Sequence, residues 1–163
     1  KTLRPYITDD IIGVQIGGAV KNVIAIACGI IMGKEMGESA RAALMTRGLA
    51  EMARLATVMG GKKETLMGMC GVGDLMLTCT SMQSRNYSLG VQIGQGMTLA
   101  QIMGARNSVA EGVHTAHALT VKAAKNAVEM PISAAVHQCL SEGLSIDEAI
   151  EQMLERPLRS EAA

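Results

Sequence analysis

One lysine interrupts the long apolar stretch of residues 11–36, and an amine in that setting can do acid–base chemistry. On a helix, Lys21 shares a face with small residues three and four positions away, so a ligand or a second backbone can come close to it. Scarce water favours the neutral amine, which can accept a proton. The alternative is a structural lysine that extends its charged end to the surface along its own stem. The residue alone leaves both interpretations open.

Two further groups of polar residues are suited to hold a substrate. Asp74 opens the segment LMLT, where a carboxylate can cap a helix, bind a substrate hydroxyl or hold a nearby lysine. Ser84, Arg85 and Asn86 place a hydroxyl, a guanidinium and an amide in consecutive positions. That combination suits a phosphate, because arginine binds phosphate through two parallel hydrogen bonds. A plain turn is the competing interpretation of both groups.

Three other patterns are weaker. GVGD at 71–74 lacks the preceding strand and the third glycine of a dinucleotide-binding loop. Glu111, in VAEG, fits the favourable first turn of a helix. His114 and His117 have a spacing that can bind a metal, but no second pair of ligands accompanies them. We interpret them as a partly exposed or hydrogen-bonded pair and expect no metal site.

Helical periodicity predicts the elements that must position these side chains. The predicted helices cover residues 11–36, 38–61, 62–69, 98–104, 107–129, 132–142 and 145–155. Asp9 and Asp10 are expected to cap the first helix, Pro131 to break the chain before the sixth, and Ser145 with Glu148 to form a capping box on the last. No stretch alternates as a strand would. The predicted class is therefore all-α, a multi-helix bundle around one long buried helix.

Two local predictions concern the segments between these helices and the outer face of the second. Residues 71–96 are rich in glycine and polar side chains, so we expect an irregular segment in which loops carry function. Arg47 and Glu51 lie four residues apart and are expected to form an ion pair on the outer side of the second helix.

Composition bounds the class of protein. The chain has 163 residues and 48% hydrophobic content, which predicts a single domain over residues 1–163. Fifteen basic and fifteen acidic residues leave no basic field, so we expect no nucleic-acid partner. Gln15, Lys21 and Asn22 within the apolar stretch argue against a membrane span. Four cysteines without metal-like spacing indicate reduced thiols and a cytoplasmic protein.

The order of four blocks is more specific than any one of them: GGAVKN at 17–22, GVGDLMLTCTS at 71–81, SRN at 84–86 and VAEG at 109–112. Over nearly the whole chain, this succession closely resembles the C-terminal substrate domain of bacterial NAD(P)-dependent glycerol-3-phosphate dehydrogenases. The resemblance implies an all-α fold like that of the 6-phosphogluconate dehydrogenase C-terminal domain. In the family this domain follows a Rossmann domain, which is absent from this sequence, so we expect a fragment that folds but is inactive alone.

The resemblance also implies a reaction and a set of residue roles. The reaction interconverts sn-glycerol 3-phosphate and dihydroxyacetone phosphate with NAD or NADP and supplies glycerophospholipid synthesis. Lys21 matches the proton acceptor; the substrate-binding positions match Lys21, Asp74, Ser84, Arg85 and Asn86, and the cofactor-binding positions match Arg85, Val109 and Glu111. The implied partners are a small phosphate substrate, the N-terminal Rossmann domain of the same polypeptide and a second copy of the chain.

Two alternatives stay open. The chain can be the substrate domain of another enzyme in the hydroxyacid and 6-phosphogluconate dehydrogenase group, or a helical dimerisation module without chemistry of its own. The first alternative predicts that Arg85 is dispensable for a carboxylate substrate, and the second that Lys21 is dispensable altogether.

Overall fold

A computed structural model describes residues 4–105 and 110–157 of the chain. These residues form helices and no strand, which confirms the predicted all-α class. In chain order the helices are α1 (Ile11–Gly33), α2 (Glu38–Val58), α3 (Lys63–Leu66), α4 (Asp74–Thr80), α5 (Arg85–Gly94), α6 (Leu99–Ala105), α7 (Glu111–Lys125), α8 (Pro131–Ser141) and α9 (Ile146–Leu154), with a π-helix (Met69–Gly73) between α3 and α4.

The long helix α1 is the centre of the bundle. Its start is fixed by Asp10, whose carboxylate accepts hydrogen bonds from the backbone N–H of Gly13 at 2.9 Å and of Lys62 at 2.8 Å. Helices α2, α4, α5, α7 and α8 pack around it. α1 is long and apolar enough to cross a membrane, but 67% of its most apolar window is buried against these neighbours. This burial supports the interpretation of α1 as a core helix.

Glycines allow α5 to lie directly against α1. A Cβ added to Gly90 would lie 2.1 Å from the carbonyl oxygen of Ile26, and one added to Gly94 would lie 2.4 Å from that of Ile30. Moving four residues along one helix therefore means moving four residues along the other in the same direction, so the two helices are parallel. The same register brings the first turn of α5 level with the middle of α1, where Lys21 lies.

The prediction of an irregular segment over 71–96 is wrong, because this region holds the end of the π-helix, α4 and α5. Its glycines serve close packing more than turns. A Cβ on Gly71 would lie 1.9 Å from the carbonyl oxygen of Leu66, and Gly90 meets α1 as described above. Gly96, with φ at 96°, is the position here that uses the left-handed region, and it follows the end of α5.

The predicted ion pair between Arg47 and Glu51 is also wrong. Glu51 is 1% exposed and points at the start of α8. Its carboxylate accepts hydrogen bonds from the backbone N–H of Ile132 at 2.6 Å, and from the backbone N–H and hydroxyl of Ser133 at 3.2 and 2.9 Å. The first turn of a helix leaves N–H groups without partners, and Glu51 supplies their acceptor from α2. Burial raises the pKa of the Glu51 carboxyl above its usual value.

The predicted break at Pro131 and the predicted capping box of α9 are confirmed, whereas α3 and α7 end at Leu66 and Lys125, before the predicted residues 69 and 129. Pro131 is the first residue of α8. Ser145 accepts from the backbone N–H of Glu148 at 3.2 Å, while the Glu148 carboxylate accepts from the backbone N–H of Ser145 at 3.0 Å, which completes the capping box of α9.

Candidate functional site

An ion pair between Lys21 and Asp74 joins α1 to α4 and forms the centre of the candidate site. The two side chains are 20% and 33% exposed, so the pair is partly buried and water can still reach it. Asp74 occupies the first position of α4, immediately after the π-helix. Such short π-helices are frequent at functional sites, where they change the direction of a side chain. Of the three roles that the sequence allowed for Asp74, the structure shows it holding the lysine.

Thr78 is a polar residue of the site that sequence analysis missed. Its hydroxyl donates to the backbone carbonyl of Asp74 at 2.6 Å and lies 3.3 Å from the Asp74 carboxylate oxygen Oδ1. The spacing of four residues on one helix places both side chains on the same face. That spacing, visible in DLMLT, is the signal that could have identified Thr78.

Open space lies on one side of Lys21. A Cβ added to Gly18, one turn earlier on α1, would meet no atom of residues 4–105 and 110–157 within 4 Å. Gly17 differs, because a Cβ there would lie 2.5 Å from the carbonyl oxygen of Cys70. The two glycines before Lys21 thus have different roles. Gly17 lets the π-helix pack closely against α1, and Gly18 leaves room for a small molecule beside the amine.

The N-terminus of α5 supplies the second half of the site. Ser84 caps this helix by accepting from the backbone N–H of Tyr87 at 3.2 Å, and Arg85 and Asn86 form its first turn. A helix N-terminus attracts anions, because its N–H groups point outward and the helix dipole is positive there. The structure therefore brings the hydroxyl, the guanidinium and the amide together at a place suited to a phosphate.

Asn86 has a structural partner as well. The residue is 6% exposed, and its carbonyl oxygen accepts from the backbone N–H of Gly112 at 2.9 Å, which fixes the start of α7. A Cβ on Gly112 would lie 2.8 Å from the carbonyl oxygen of Asn22 and from the side-chain oxygen of Asn86, so α1, α5 and α7 meet here at a distance that glycine allows. The side-chain N–H₂ of Asn86 makes no hydrogen bond within residues 4–105 and 110–157, and it is available to a ligand.

Glu111 connects the two halves of the site. One carboxylate oxygen lies 3.3 Å from Arg85 Nη2, and the other lies 3.3 Å from Asn22 Nδ2. Asn22 is the neighbour of Lys21, and sequence analysis had quoted it in GGAVKN without giving it a role. Hydrogen bonds therefore link the first turn of α5, through Glu111, to the residue next to Lys21 on α1. Arg85 and Glu111 are 56% and 65% exposed and face outward, whereas Val109 lies outside the described residues.

The structure does not bring His114 and His117 into a shared site. His114 is exposed, while His117 Nδ1 lies 3.5 Å from Nε2 of His137 on α8, a partner that sequence analysis missed. Nε2 of His137 also lies 3.3 Å from a carboxylate oxygen of Glu142. In the part of the chain that the structure describes, no three His, Cys, Asp or Glu residues are placed to hold a metal ion. All four cysteines are free thiols.

Comparison with known proteins places this geometry in context. The family profile described as NAD-dependent glycerol-3-phosphate dehydrogenase C-terminus matches residues 10–151. A glycerol-3-phosphate dehydrogenase [NAD(P)+] of Rhodospirillum rubrum is 58% identical over 99% of this chain, and one of Caulobacter vibrioides is 52% identical over 99%. The matches cover 46% and 49% of those two proteins, so the chain spans about half the length of its relatives.

Solved structures agree with the sequence matches. The crystal structure of glycerol-3-phosphate dehydrogenase from Coxiella burnetii superposes with a TM-score of 0.92 at 46% identity, covering 96% of this chain and 48% of that protein. The enzyme from Saccharomyces cerevisiae superposes with a TM-score of 0.82 at 26% identity, covering 94% of this chain and 46% of that protein.

Proposed function

The chain belongs to the NAD-dependent glycerol-3-phosphate dehydrogenase family as its C-terminal domain, and on that basis we propose a function for it. It forms the substrate half of an enzyme that interconverts sn-glycerol 3-phosphate and dihydroxyacetone phosphate with NAD or NADP. The observation that carries the proposal is the partly buried Lys21–Asp74 ion pair, which lies level with the first turn of α5 in the register that Gly90 and Ile26 set. In this role the domain acts in the cytoplasm and supplies the backbone of glycerophospholipids.

Lys21 is the acid–base residue of the proposed reaction. Removing a hydride from the secondary carbon of glycerol 3-phosphate requires that its hydroxyl lose a proton, and the amine of Lys21 accepts it. In the reducing direction the ammonium donates a hydrogen bond to the ketone and then returns the proton. The Asp74 carboxylate holds the amine in place and balances its charge, and Thr78 fixes the carboxylate in turn.

The start of α5 holds the phosphate. The Arg85 guanidinium and the side-chain N–H₂ of Asn86 donate to the phosphate oxygens, with the hydroxyl of Ser84 at the same turn. Because α5 runs parallel to α1 in the register set by Gly90 and Ile26, this turn is level with Lys21. A three-carbon phosphate anchored there presents its middle carbon to the amine, and such fixed geometry accounts for much of an enzyme's rate enhancement.

The dinucleotide supplies the hydride chemistry when bound, and its main binding site belongs to the N-terminal Rossmann domain. We assign the contacts that this chain makes with the dinucleotide to Arg85, Glu111 and Val109. The side chains of Arg85 and Glu111 are exposed at the candidate site, which supports the assignment.

Exposed apolar side chains near the site support an N-terminal partner domain. Ile11 and Val14 are 68% and 36% exposed and lie on the α1 face that continues to Lys21, and Leu77 on α4 is 68% exposed beside Asp74. Exposed apolar groups grouped around a polar crevice are typical of a surface that another domain covers. We place the Rossmann domain of the same polypeptide over this face, and we assign residues 1–163 to one domain. A second copy of the chain is a further partner.

The test joins this chain to the N-terminal half of the Rhodospirillum rubrum relative and measures reduction of dihydroxyacetone phosphate with NADH and NADPH. Lys21→Met is expected to lower kcat by about 10²- to 10⁴-fold, since general acid–base catalysis contributes that much. Lys122→Met, on the exposed face of α7, is the control and leaves kcat unchanged. The chain without its N-terminal half is expected to show no turnover.

Arg85→Met tests the substrate class. Loss of a charge partner for the phosphate is expected to raise KM for dihydroxyacetone phosphate by about 30-fold or more. An enzyme that retains full activity with Lys21→Met contradicts the proposal and favours a domain without chemistry. An enzyme that prefers a 2-hydroxy carboxylate and is indifferent to Arg85→Met belongs instead to the hydroxyacid dehydrogenase alternative.

A further inference from the structure

A side-chain contact joins α2 to the first turn of α5, through residues that the proposed reaction does not use. The guanidinium nitrogen Nη1 of Arg41 donates to the phenolic oxygen of Tyr87 at 3.3 Å. Tyr87 follows Arg85 and Asn86 in the chain and is the third residue of α5. It is buried, with an exposed fraction of 5%. A second helix therefore holds the residue next to those that we assign to the phosphate.

The backbone of Tyr87 is fixed as well as its ring. Its N–H donates to the hydroxyl of Ser84 at 3.2 Å, which caps α5. Its carbonyl oxygen lies against α1, because a Cβ added to Gly29 would come within 2.2 Å of it. Since the ring and the backbone are both held, a shift of the ring acts directly on the first turn of α5.

Arg41 is placed to hold this ring firmly. Its side chain is 17% exposed and forms an ion pair with Glu38, one turn earlier on α2. Hydrogen bonding with Cys28 and burial raise the pKa of the Cys79 thiol on α4, and the positive charge of the guanidinium opposes that rise. The guanidinium therefore lies close to both α4 and α5. A hydrogen bond from such a charged, planar group is stronger and better directed than one between neutral groups.

We propose that Arg41 is a positioning residue for the phosphate of the substrate. By holding the ring of Tyr87, it keeps the first turn of α5 in the orientation in which Arg85 and Asn86 converge on the phosphate oxygens. Arg41 itself touches neither the substrate nor the amine of Lys21. The inference rests on the proposed function and adds to it a residue of α2, a helix to which that function assigns no role.

An arginine close to a phosphate site can also act through its charge alone. The two explanations differ in the importance of the Tyr87 hydroxyl. A positioning role requires this hydroxyl, because it accepts the hydrogen bond from Arg41. A purely electrostatic role does not require it. Tyr87→Phe removes the hydroxyl and leaves the charge of Arg41 in place, so this substitution separates the two explanations.

The test measures KM and kcat for dihydroxyacetone phosphate after this chain is joined to the N-terminal half of the Rhodospirillum rubrum relative. Arg41→Met and Tyr87→Phe are each expected to raise KM by about fivefold to tenfold, the effect of one lost hydrogen bond. The value of kcat should change by less than about twofold, because the phosphate is held equally in the bound substrate and the transition state. The double variant should exceed either single variant by about twofold at most, since both substitutions remove the same bond. Arg41→Lys keeps a cationic donor, and its KM should lie between those of the wild type and Arg41→Met.

Arg54→Met is the matched control. Arg54 also lies on α2, about 20 Å further along the helix at 1.5 Å per residue, and it donates to the backbone carbonyl of Glu129. Its substitution should leave KM for dihydroxyacetone phosphate unchanged. Hydrogen exchange of the backbone amides of residues 87–90 adds a measurement that does not depend on the reaction. Exchange should be faster in Arg41→Met and Tyr87→Phe and unaltered in Arg54→Met.

Thermal melts establish that each variant is folded, and if Arg41→Met fails to fold, Tyr87→Phe decides. A rise in KM with Arg41→Met but not with Tyr87→Phe contradicts the positioning role. Faster exchange in both variants without a change in KM contradicts it too, because the contact is then structural only. A wild-type joined enzyme without turnover contradicts the proposed function and this inference with it. Normal turnover with an unaltered KM in both variants contradicts the inference alone.

Discussion

Gly90 on α5 lies against the backbone of Ile26 on α1, where an added Cβ would come 2.1 Å from the carbonyl oxygen. Gly90→Ala therefore forces the two helices apart, and we expect the free energy of unfolding to fall by about 1 to 3 kcal/mol. Because this contact sets the register of α5, substrate affinity of the joined enzyme should fall as well. Denaturant titration and KM measure the two effects.

Gly104→Ala is the control for that substitution. Gly104 also lies in a helix, α6, but a Cβ there would meet no atom within 4 Å in the part of the chain that the structure describes. Alanine favours helix over glycine by up to about 1 kcal/mol, so this variant is expected to be as stable as the wild type or more so. If both variants lost the same free energy of unfolding, the close contact between Gly90 and Ile26 would not be what makes Gly90→Ala destabilising.

The burial of the Glu51 carboxyl predicts that the stability of the folded chain depends on pH. Burial raises the pKa of this carboxyl above its usual value of 4.5, so the folded chain binds the proton more readily than the unfolded chain. The contribution of Glu51 to stability is therefore greatest in acid and is lost as the pH rises through the raised pKa. Glu51→Gln keeps an acceptor for α8 and does not titrate. The stability of the wild type relative to Glu51→Gln should fall as the pH rises above 4.5.

Glu148→Gln provides a comparison of opposite sign. Hydrogen bonds from the hydroxyl and the backbone N–H of Ser145 lower the pKa of Glu148, so its contribution is present at neutral pH and is lost as the pH falls through the lowered value. Denaturant titrations at a series of pH values measure both. Parallel pH profiles for the two variants would contradict the assignment of Glu51 as a buried carboxyl.

Glu111→Gln tests the hydrogen bonds that link Arg85 on α5 to Asn22 on α1. Glutamine can still accept a hydrogen bond from Asn22 but cannot balance the charge of Arg85. We expect KM for the phosphate substrate and for the dinucleotide to change by about twofold to fivefold, since exposed ion pairs are worth about 1 kcal/mol or less. Thermal stability should be unchanged. A loss of stability without a change in either KM would make Glu111 a structural residue.

Thiol labelling tests the burial of the α1–α4 contact. Cys28 and Cys79 are fully buried, and hydrogen bonding with the Cys28 thiol together with burial raises the pKa of the Cys79 thiol. Both are expected to resist a water-soluble disulfide reagent in the folded chain, because the thiolate is the reactive form. Cys70 should label first, and Cys139 more slowly, since burial raises the pKa of its thiol as well. Rapid labelling of all four thiols in the native chain would show that the bundle opens readily.

The parts of the fold that could be predicted from the sequence are those set by near neighbours. Asp10, Pro131 and the Ser145–Glu148 pair act on residues within three or four positions, so their patterns were sufficient. The segment over 71–96 could not be predicted in this way, because its glycines are used for contact with α1 and with Leu66. The predicted ion pair between Arg47 and Glu51 was wrong for the same reason, because the partners of Glu51 are distant in sequence and come from α8.

For the candidate site, the sequence identified side chains but did not choose among their alternative partners, such as the three roles open to Asp74. Lys21 and Asp74 were singled out separately, and the structure brings them into contact through the packing of α1 against α4. Thr78 and Asn22 were missed because neither belongs to a residue class that signals chemistry by itself. Their importance depends on which carboxylate each one meets, Asp74 for the first and Glu111 for the second.

The parallel contact between α1 and α5 has a consequence for the order of folding. Lys21 and the first turn of α5 lie far apart along the chain, and closing so long an interval is slow compared with forming each helix. A chain whose helices have formed but whose α5 has not yet packed on α1 therefore lacks an assembled site. Ligand then binds only chains that have completed this closure, so added substrate should suppress local opening of α5 and slow its hydrogen exchange.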